Sequence, residues 1–143
     1  MREILFRGKR VDNGERVYGA YYKQEEWYGD KQEEHNIITS KEALSFDQAL
    51  EFSVVIPETI GQYTGLTDKN GKKIFEDDIV KVTNDNGETD LCSCGIGDVC
   101  FYDGVWYIGG EVNDGLYDVN KIYYVEIIGN IHDNSELLGG VQE

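Results

Sequence analysis

Hydrophobic and polar residues alternate along this chain in short runs that glycine-containing turn signals separate. Short runs rich in Val, Ile, Phe, Tyr and Trp are typical of β-strands. The pattern predicts strands at EILFRG, RVYGAYY, FSVVI, TIGQYTG, DIVKV, GDVCFYD, VWYIGG and IYYVEIIGN. The facing of DIVKV stays open, because its isoleucine and valines fall on both sides of the strand. The last run is apolar on both faces, which favours a central strand or one at an interface.

Four dipeptides carry the strongest turn signals of the chain. Asn-Gly and Asp-Gly readily supply the two positive φ angles that a type I′ hairpin turn needs. They occur at Asn13-Gly14, Asn70-Gly71, Asn86-Gly87 and Asp103-Gly104. At the last of these, the predicted pairing sets Cys100, Phe101 and Tyr102 opposite Val105, Trp106 and Tyr107. A tight acidic turn is expected at Glu76, Asp77 and Asp78, with the Asp78 carboxylate bonded to nearby backbone N–H groups.

One segment has helical rather than strand spacing. Between Ser40 and Phe52, apolar residues recur at three- and four-residue intervals, and Ser45 and Gln48 have the spacing of a capping box. This predicts one short helix near residues 41–51. The charged stretch from Lys23 to Asn36 is either an exposed loop or an extended hairpin. The fold class is therefore mainly β, in a single domain over residues 1–143, with a potential subdivision into a β-rich part at 1–56 and a small barrel at 57–138.

The charge balance limits the classes of partner. The chain has 13 Lys and Arg against 28 Asp and Glu, a formal net charge of −15. Such a charge repels a phosphate backbone and disfavours direct binding of nucleic acid. It fits either an ordinary acidic protein or a DNA mimic that occupies a basic groove on a host protein. The start of the chain lacks a signal-peptide core and no apolar run is long enough for a membrane helix, so a cytoplasmic location is expected.

The stretch GQYTGLTDKNGKKIFEDDIVKV, from Gly61 to Val82, invites two ligand-binding interpretations. A phosphate-binding loop fails because the two glycines are one residue too far apart and Lys73 stands where a hydroxyl should follow. A calcium-binding loop that begins at Asp68 fails because Lys72 takes a ligand position and Lys73 takes the place of the required glycine. The sequence therefore predicts turns here, and it predicts no cofactor.

The cysteines are the better metal candidates. Cys92 and Cys94 are spaced C-x-C, and Cys100 follows six residues later. A zinc site would need a fourth ligand from His35, His132 or a carboxylate. Three reduced thiols are the preferred interpretation, with no metal bound.

Catalytic and nucleic-acid motifs are incomplete. The chain has no G-x-S-x-G nucleophile elbow. His132 lies beside Asp133 and near Ser135, and this cluster is interpreted as a turn after the last strand. No catalytic residues are assigned, and the chain is expected not to be an enzyme. A local basic patch at Arg7, Lys9 and Arg10 is the one feature that could contact a nucleic acid.

Three blocks resemble the YopX protein family, a group of small proteins encoded by phages and prophages. They are REILFRGKRVDNGERVYGAYY, PETIGQYTGLTDKNGKKIFEDDIVKV and VEIIGNIHDNSELL, in the order of the family. Members commonly have Glu-Gly-Asp where this chain has Glu76-Asp77-Asp78, and Asp tolerates the left-handed geometry of that turn less well than Gly. The resemblance implies homo-oligomeric assembly and a bacterial host cell, and it transfers no catalytic residues.

The second block predicts more of the fold and the candidate contacts. The hairpin, the acidic turn and the DIVKV strand together resemble an SH3-like small barrel in the C-terminal part. Aromatic side chains on strands are the candidate binding or interface residues, with their neighbours: Gln62, Tyr63, Thr64, Trp106, Tyr123 and Tyr124. Three functions remain open. They are a homo-oligomeric binding or adaptor module with an unknown host or phage protein as partner, an acidic regulator or DNA mimic, and an enzyme with a dispersed site.

Overall fold

A computed structural model describes residues 4–28, 30–38, 52–84 and 94–141. The predicted helix near residues 41–51, the Asn86-Gly87 turn and Cys92 lie outside these ranges. The described residues form two antiparallel sheets and one short α-helix, which confirms the mainly β class. The chain divides into two compact units, Met1–Tyr63 and Thr64–Glu143.

The first unit contains the strands β1 to β4 and the start of β5. Their bounds are Phe6–Lys9, Arg16–Tyr28, Asp30–Ile38, Phe52–Val54 and Gly61–Thr67, with a 3₁₀ turn at Pro57–Thr59. Strand order is β4-β3-β2-β1-β5. Of the two interpretations of the charged stretch after Lys23, the extended hairpin is correct, because β2 and β3 stay paired from Ala20 and Ile38 to Tyr28 and Asp30.

Close packing of main chain against main chain fixes the first sheet. A Cβ atom at Gly19 would lie 1.8 Å from the carbonyl oxygen of Ile38, so only glycine fits at this position of β2. Ile37 is fully buried beside it, and Val55 is almost fully buried beside Gly8 of β1. Tyr21 and His35 stack across β2 and β3, and the hydroxyl of Tyr21 lies 2.6 Å from Nδ1 of His35.

The second unit contains the end of β5 and all later elements. These are β6 (Lys73–Phe75), β7 (Asp78–Thr83), β8 (Gly95–Tyr102), β9 (Val105–Ile108), β10 (Asp114–Gly115), α1 (Leu116–Ile122), β11 (Tyr124–Asn130) and a 3₁₀ helix at Ser135–Val141. Strand order in its sheet is β10-β9-β8-β7-β11, and β6 lies next to β5. The SH3-like barrel stays a prediction, because the elements establish the antiparallel sheets and not that finer architecture.

The core of the second unit lies on one face of this sheet. Its central members are buried valines, isoleucine and leucine from four strands and from α1: Val80, Val82, Val99, Ile108, Leu116, Val119 and Val125. The side chain of Ile79 is also fully buried, whereas Lys81 is exposed. The open question about DIVKV is thereby answered, since Val80 and Val82 face the core and Ile79 is covered on the other face.

The last apolar run differs in part from its prediction. β11 lies at the end of the sheet order, so of the two interpretations of this run the central strand is wrong and the strand at an interface stays a prediction. Ile122, predicted as a strand residue, is the last residue of α1 and is 69% exposed. The strand begins two residues later, because Tyr123 makes the last helical bond, to the carbonyl of Val119 at 2.8 Å, and its extended backbone (φ −117°, ψ 175°) ends the helix.

Candidate functional site

Asp68 organises the turn between β5 and β6. Its Oδ1 accepts the backbone N–H groups of Asn70 and Lys72, each at 2.9 Å. Its Oδ2 accepts the backbone N–H of Ile127 on β11 at 3.1 Å. Asp68 is 6% exposed, and these N–H groups provide the bonds that a buried charge requires. The residue that would begin a calcium loop therefore has a structural role, which the sequence pattern did not indicate.

Two of the predicted type I′ turns have a different geometry. At Asn13-Gly14 and Asn70-Gly71 only the glycine has a positive φ, of 73° and 82°. At Asn70-Gly71, the backbone hydrogen bond that closes the loop lies outside the dipeptide, because Asp68 donates its N–H to the carbonyl of Lys72 at 2.8 Å. The side chain of Asn13 accepts the N–H of Glu15 at 2.9 Å. Both loops are longer than a two-residue type I′ turn. A side-chain oxygen of Asn or Asp accepts a backbone N–H in each, and the glycine alone takes the left-handed geometry. Such loops do not require a positive φ at Asn.

The acidic turn between β6 and β7 has the strain that its sequence predicts. Asp77 has a φ of 73°, the left-handed geometry for which glycine is the usual choice. Its N–H donates to Val99 at 2.8 Å and its carbonyl accepts from Ile131 at 2.9 Å, so the main chain is held on both sides. Asp78 is 2% exposed, and its Oδ2 accepts the N–H of Phe75 at 2.8 Å. Both carboxylates serve the turn.

His132 pairs with this turn and not with its neighbours in sequence. Its Nε2 lies 3.0 Å from Oδ2 of Asp77. The side chain of Asn130 accepts the N–H groups of His132 and Asp133, each at 3.0 Å, which makes the predicted turn after β11 an Asx turn. The imidazole therefore joins two turns that are 55 residues apart in sequence.

The Cys100 thiol lies on β8, in an acidic environment. Burial raises its pKa above the ordinary value of 9.0, and the carboxylates of Asp98, Asp77 and Glu76 raise the pKa further. A thiol with a raised pKa is protonated at neutral pH, so it is a poor nucleophile and a poor metal ligand. This environment is the opposite of the one that activates a catalytic cysteine.

The other cysteine in the described residues, Cys94, is buried in the core of the second unit. Neither Cys94 nor Cys100 forms a disulfide within the described residues. Within the ranges that the structure covers, no three His, Cys, Asp or Glu side chains are grouped so that they could hold a metal ion. The zinc interpretation therefore gains no support from Cys94 or Cys100.

The hairpin of β8 and β9 presents Phe101 and Tyr102 to solvent, whereas Tyr107 is half-buried and Trp106 packs against the core of the second unit. The turn residues Asp103 and Gly104 have φ angles of 52° and 83°, as a type I′ turn requires. Tyr102 pairs with Val105, Phe101 with Trp106, and Cys100 with Tyr107, in the predicted register. The hairpin ends in three large side chains that are more than half exposed: Phe101, Tyr102 and Val105.

Ring contacts hold these side chains in place on each face of the hairpin. Phe101 and Trp106 form an edge-to-face pair with ring centroids 5.1 Å apart. On the other face, the rings of Tyr102 and Tyr107 lie 5.4 Å apart. The hydroxyl of Tyr107 donates to the side chain of Asn113. Aromatic pairs of this kind restrict the rings before any partner arrives, which lowers the entropy lost on binding.

Three of the predicted contact residues lie on β5. Tyr63, which the sequence predicts as a core or interface residue, is 8% exposed, and its backbone N–H donates to Leu5 at 2.7 Å. Thr64 is 4% exposed, and its hydroxyl donates to the carbonyl of Ile74 at 2.8 Å in the second unit. Gln62 is half-buried and pairs with Phe6. Tyr63 and Thr64 are therefore buried within the chain, and the contact role of the three residues stays a prediction.

Tyr123 and Tyr124 line an open depression in the second unit. Its volume is about 390 Å³, and it lies between the turn at residues 67–69 and the segment from Asn120 to Val125. Two residues that line the depression bond to each other, because Asn120 donates its side-chain N–H to the carbonyl of Thr67 at 3.1 Å. Tyr123 packs against the core, whereas Tyr124 is 48% exposed at the start of β11. Trp106, the remaining predicted contact residue, lies apart from it on the aromatic hairpin.

The three residues of the predicted basic patch do not form an open cationic surface. Arg7 is 6% exposed within the first sheet. The guanidinium of Arg10 binds the carboxylate of Asp12 through two bonds, of 3.0 and 2.7 Å. Lys9 is half-buried and takes part in interactions of its own.

Across the described ranges, no helix has the length and apolar character needed to cross a bilayer.

Comparison with known proteins agrees with the resemblance of the three blocks. A sequence model of the family described as "YopX protein" matches residues 5–139. The chain is 37% identical over 78 residues to the SPbeta prophage-derived uncharacterized protein YopX of Bacillus subtilis (strain 168). That match covers 50% of this chain and 54% of the relative, so it spans about half of each protein.

One solved structure is similar along almost the whole chain. The crystal structure of protein EF1440 from Enterococcus faecalis superposes with a TM-score of 0.58 at 24% identity. The superposition covers 96% of this chain and 99% of that one. At this identity the likeness establishes a shared fold.

Proposed function

Because the chain belongs to the YopX protein family, which includes a prophage-derived protein, we propose that it is a non-enzymatic binding or adaptor module that assembles with itself. The observation that carries the proposal is the aromatic hairpin, defined as Phe101, Tyr102, Val105, Trp106 and Tyr107. Aromatic side chains that are exposed and held in place are enriched at protein contacts, where each supplies a large area with few rotatable bonds.

The non-enzymatic part of the proposal is supported by the state of the nucleophile and base candidates. Cys100 has a raised pKa, and the carboxylates around it oppose formation of the thiolate. His132 is bonded to Asp77, whose main chain is fixed by bonds to Val99 and Ile131. We therefore assign no catalytic step to Cys100 or to His132.

The self-association part is supported by a second surface, at α1 and the start of β11. Tyr117, Ile122 and Tyr124 are 62%, 69% and 48% exposed there. In a chain with a net charge of −15, two copies can approach most easily where local charges balance. This surface carries two lysines, Lys69 and Lys121, and two carboxylates, Asp118 and Glu126. Lys69 already pairs with Glu126 at 3.6 Å. We therefore place the interface between copies here.

Site-specific crosslinking tests the contact role of the hairpin. A photo-reactive phenylalanine analogue replaces Val105, which is 53% exposed, and a matched control replaces Val11, which is 58% exposed on the first unit. We expect one defined crosslinked protein from position 105 in cells that naturally express the chain, and none of the same mass from position 11. The product should disappear in a variant with Phe101→Ser and Tyr102→Ser, two hairpin side chains that are 58% and 63% exposed. Equal crosslinking from both positions, or none from either, contradicts the hairpin as the contact surface.

Sedimentation velocity tests the self-association. The native chain should sediment as an oligomer at concentrations between about 1 and 50 µM, and Ile122→Ser with Tyr124→Ser should shift it to the monomer. Val11→Ser is the control, because it removes a similarly exposed apolar side chain from the first unit. If the native chain is strictly monomeric over this range, the self-association part of the proposal is wrong, and the proposed contact role of the aromatic hairpin is unaffected.

The second candidate function, an acidic regulator of host nucleic-acid machinery, has one specific observation in its favour. Residues 82–120 contain no Lys or Arg, so the aromatic hairpin lies in the longest stretch of the chain without a positive charge. A partner with a basic surface would be attracted to it over several ångströms. Loss of the crosslinked product when the basic surface of that partner is neutralised would favour this candidate over a neutral adaptor.

A further inference from the structure

We infer that one face of the aromatic hairpin recognises an arginine side chain on a basic segment of a partner protein. The inference rests on the proposed binding function and adds the chemistry of the occupant. The face concerned, called here the acidic face, consists of Asp98, Cys100 and Tyr102 on β8 with Val105 and Tyr107 on β9, which alternation places on the same side of the sheet.

The Asp98 carboxylate lies over Gly109 on the acidic face. Gly109 follows β9 directly opposite, where its N–H donates to the carbonyl of Asp98 at 2.9 Å. The Oδ1 atom of Asp98 lies 3.2 Å from the place where a Cβ atom would stand at Gly109, so the carboxylate takes the space that a side chain there would need. Among the described residues, no other side chain comes within 4 Å of that place. Tyr107 is the neighbouring residue of β9 on the same face.

The Asp98 carboxylate is available in the part of the chain that the structure describes. It accepts no hydrogen bond there and has no cation within ion-pair distance. It differs in this from Asp68, Asp77 and Asp78, whose carboxylates bind N–H groups. A half-buried carboxylate that no turn uses has no evident structural task, which leaves it free for a cation from outside.

Charge and ring geometry together indicate a guanidinium as the occupant. Burial and, after it, the carboxylates of Asp98, Asp77 and Glu76 raise the pKa of the Cys100 thiol, so three negative charges lie near this face. A guanidinium can bind a carboxylate through two parallel N–H bonds and at the same time stack on an aromatic ring. Tyr102, which is 63% exposed, and Tyr107 supply the rings. An ammonium satisfies the charge but not the planar stacking, so arginine is favoured over lysine.

Fluorescence anisotropy with defined peptides tests the inference. The probes are fluorescein-labelled hexa-arginine, hexa-lysine and hexa-glutamate peptides at an ionic strength of about 0.15 M, where distant charges are screened. Asp98→Asn should weaken hexa-arginine binding by about fivefold or more, because the paired N–H bonds lose their charged acceptor. Tyr102→Leu, which keeps a bulky apolar side chain, should weaken it by about threefold.

Glu58→Gln is the matched control, because it removes one negative charge from an exposed position of the first unit and should change the affinity by less than about twofold. Circular dichroism and thermal melts of each variant confirm that the fold is kept. Equal losses for Asp98→Asn and Glu58→Gln would show attraction to the overall charge only, and they overturn the inference. So does equal affinity for the arginine and lysine peptides.

Other occupants give distinct outcomes. Tighter binding of a single-stranded oligonucleotide than of hexa-arginine assigns the face to nucleic acid and overturns the inference. Self-association that Asp98→Asn abolishes assigns the face to a second copy of this chain and overturns the inference as well. If hexa-arginine binding does not depend on Asp98 while position 105 still yields its crosslinked protein, the arginine chemistry is wrong and the binding function stands. If both experiments are negative, both proposals fail.

Discussion

The carboxylate of Asp68 accepts the backbone N–H of Ile127 at 3.1 Å, across 59 positions of sequence. The same carboxylate holds the turn in which Asp68 itself lies. One side chain thus fixes a local turn and binds that turn to a distant strand. In the stretch from Gly61 to Val82, Asp68 and Asp78 thus satisfy backbone donors and Asp77 binds His132, so these three acidic residues have structural roles.

Replacement of Asp68 tests this role. Asp68→Ala leaves three backbone N–H groups without their charged acceptor, two in the turn and one on β11, and we expect the free energy of unfolding to fall by about 3 kcal/mol. Chemical denaturation monitored by tyrosine and tryptophan fluorescence measures the change. The control Glu58→Ala, at an exposed position of the first unit, should stay within about 0.5 kcal/mol of the native chain. A loss for Asp68→Ala no larger than for the control contradicts the structural role.

The strained backbone at Asp77 gives a second prediction. At a φ of 73°, Asp77→Ala loses the bond to His132 and adds the cost of a left-handed alanine, so it should destabilise the fold by about 2 kcal/mol. Asp77→Gly loses the same bond but relieves the strain, and it should remain within about 1 kcal/mol of the native chain. Thermal melts of the two variants measure the difference. Equal stabilities would mean that the left-handed geometry carries no strain.

The Cys100 thiol gives a prediction about pH. Because its pKa is raised, the thiolate fraction of the folded chain stays small until the pH passes well above 9.0. In the unfolded chain the thiol ionises at a lower pH, so its contribution to stability is complete below 9.0 and is lost as the pH rises through the folded pKa.

Alkylation kinetics measure this difference directly. At pH 8, iodoacetamide should modify Cys100 more slowly in the folded chain than in urea, with the site resolved by peptide mass spectrometry. Asp98→Asn removes a carboxylate that raises the pKa, so it should accelerate the reaction in the folded chain. Asp118→Asn, the control, should not change the rate. A folded chain that reacts as fast as the unfolded one disproves the electrostatic account.

Glycine at position 97 of β8 gives a prediction about packing. A Cβ atom there would lie 2.0 Å from the carbonyl oxygen of Gly109, and backbone cannot give way as a flexible side chain can. Gly97→Ala should therefore lower the free energy of unfolding by about 3 kcal/mol or more. Gly104→Ala is the control, because nothing lies within 4 Å of its Cβ position and only its φ of 83° opposes alanine. Gly104→Ala should lower the free energy of unfolding by only about 1 kcal/mol.

Local chemistry made much of this fold predictable. The hairpin at Asp103-Gly104 was predicted in the register that the structure shows, because the turn and the alternation of its strands lie within eight residues. The bond from Asp78 to Phe75 spans three residues and followed from the preference of Asp for turns. The strands, and with them the mainly β class, followed from the same short-range patterns.

Contacts between distant residues could not be predicted in this way. No pattern in the sequence connects Asp68 to Ile127 or His132 to Asp77. The seven-residue helix α1 is too short for a clear period, and only the buried pair Leu116 and Val119, with three-residue spacing, could have indicated it. Asp98 was missed because its importance comes from the absence of a side chain at Gly109, beyond the end of another strand.

The turn at Asp68 has a last consequence, for association between molecules. β11 begins Tyr-Val-Glu-Ile-Ile and lies at the end of its sheet, and an open strand of this composition can recruit a strand from another molecule and start a fibril. The outward bonding groups at Val125 and Ile127 are occupied by the N–H of Lys69 and the carboxylate of Asp68. The turn at Asp68 thus protects this strand from polymerisation, and Asp68→Ala should form thioflavin-positive aggregates under conditions in which Glu58→Ala stays clear.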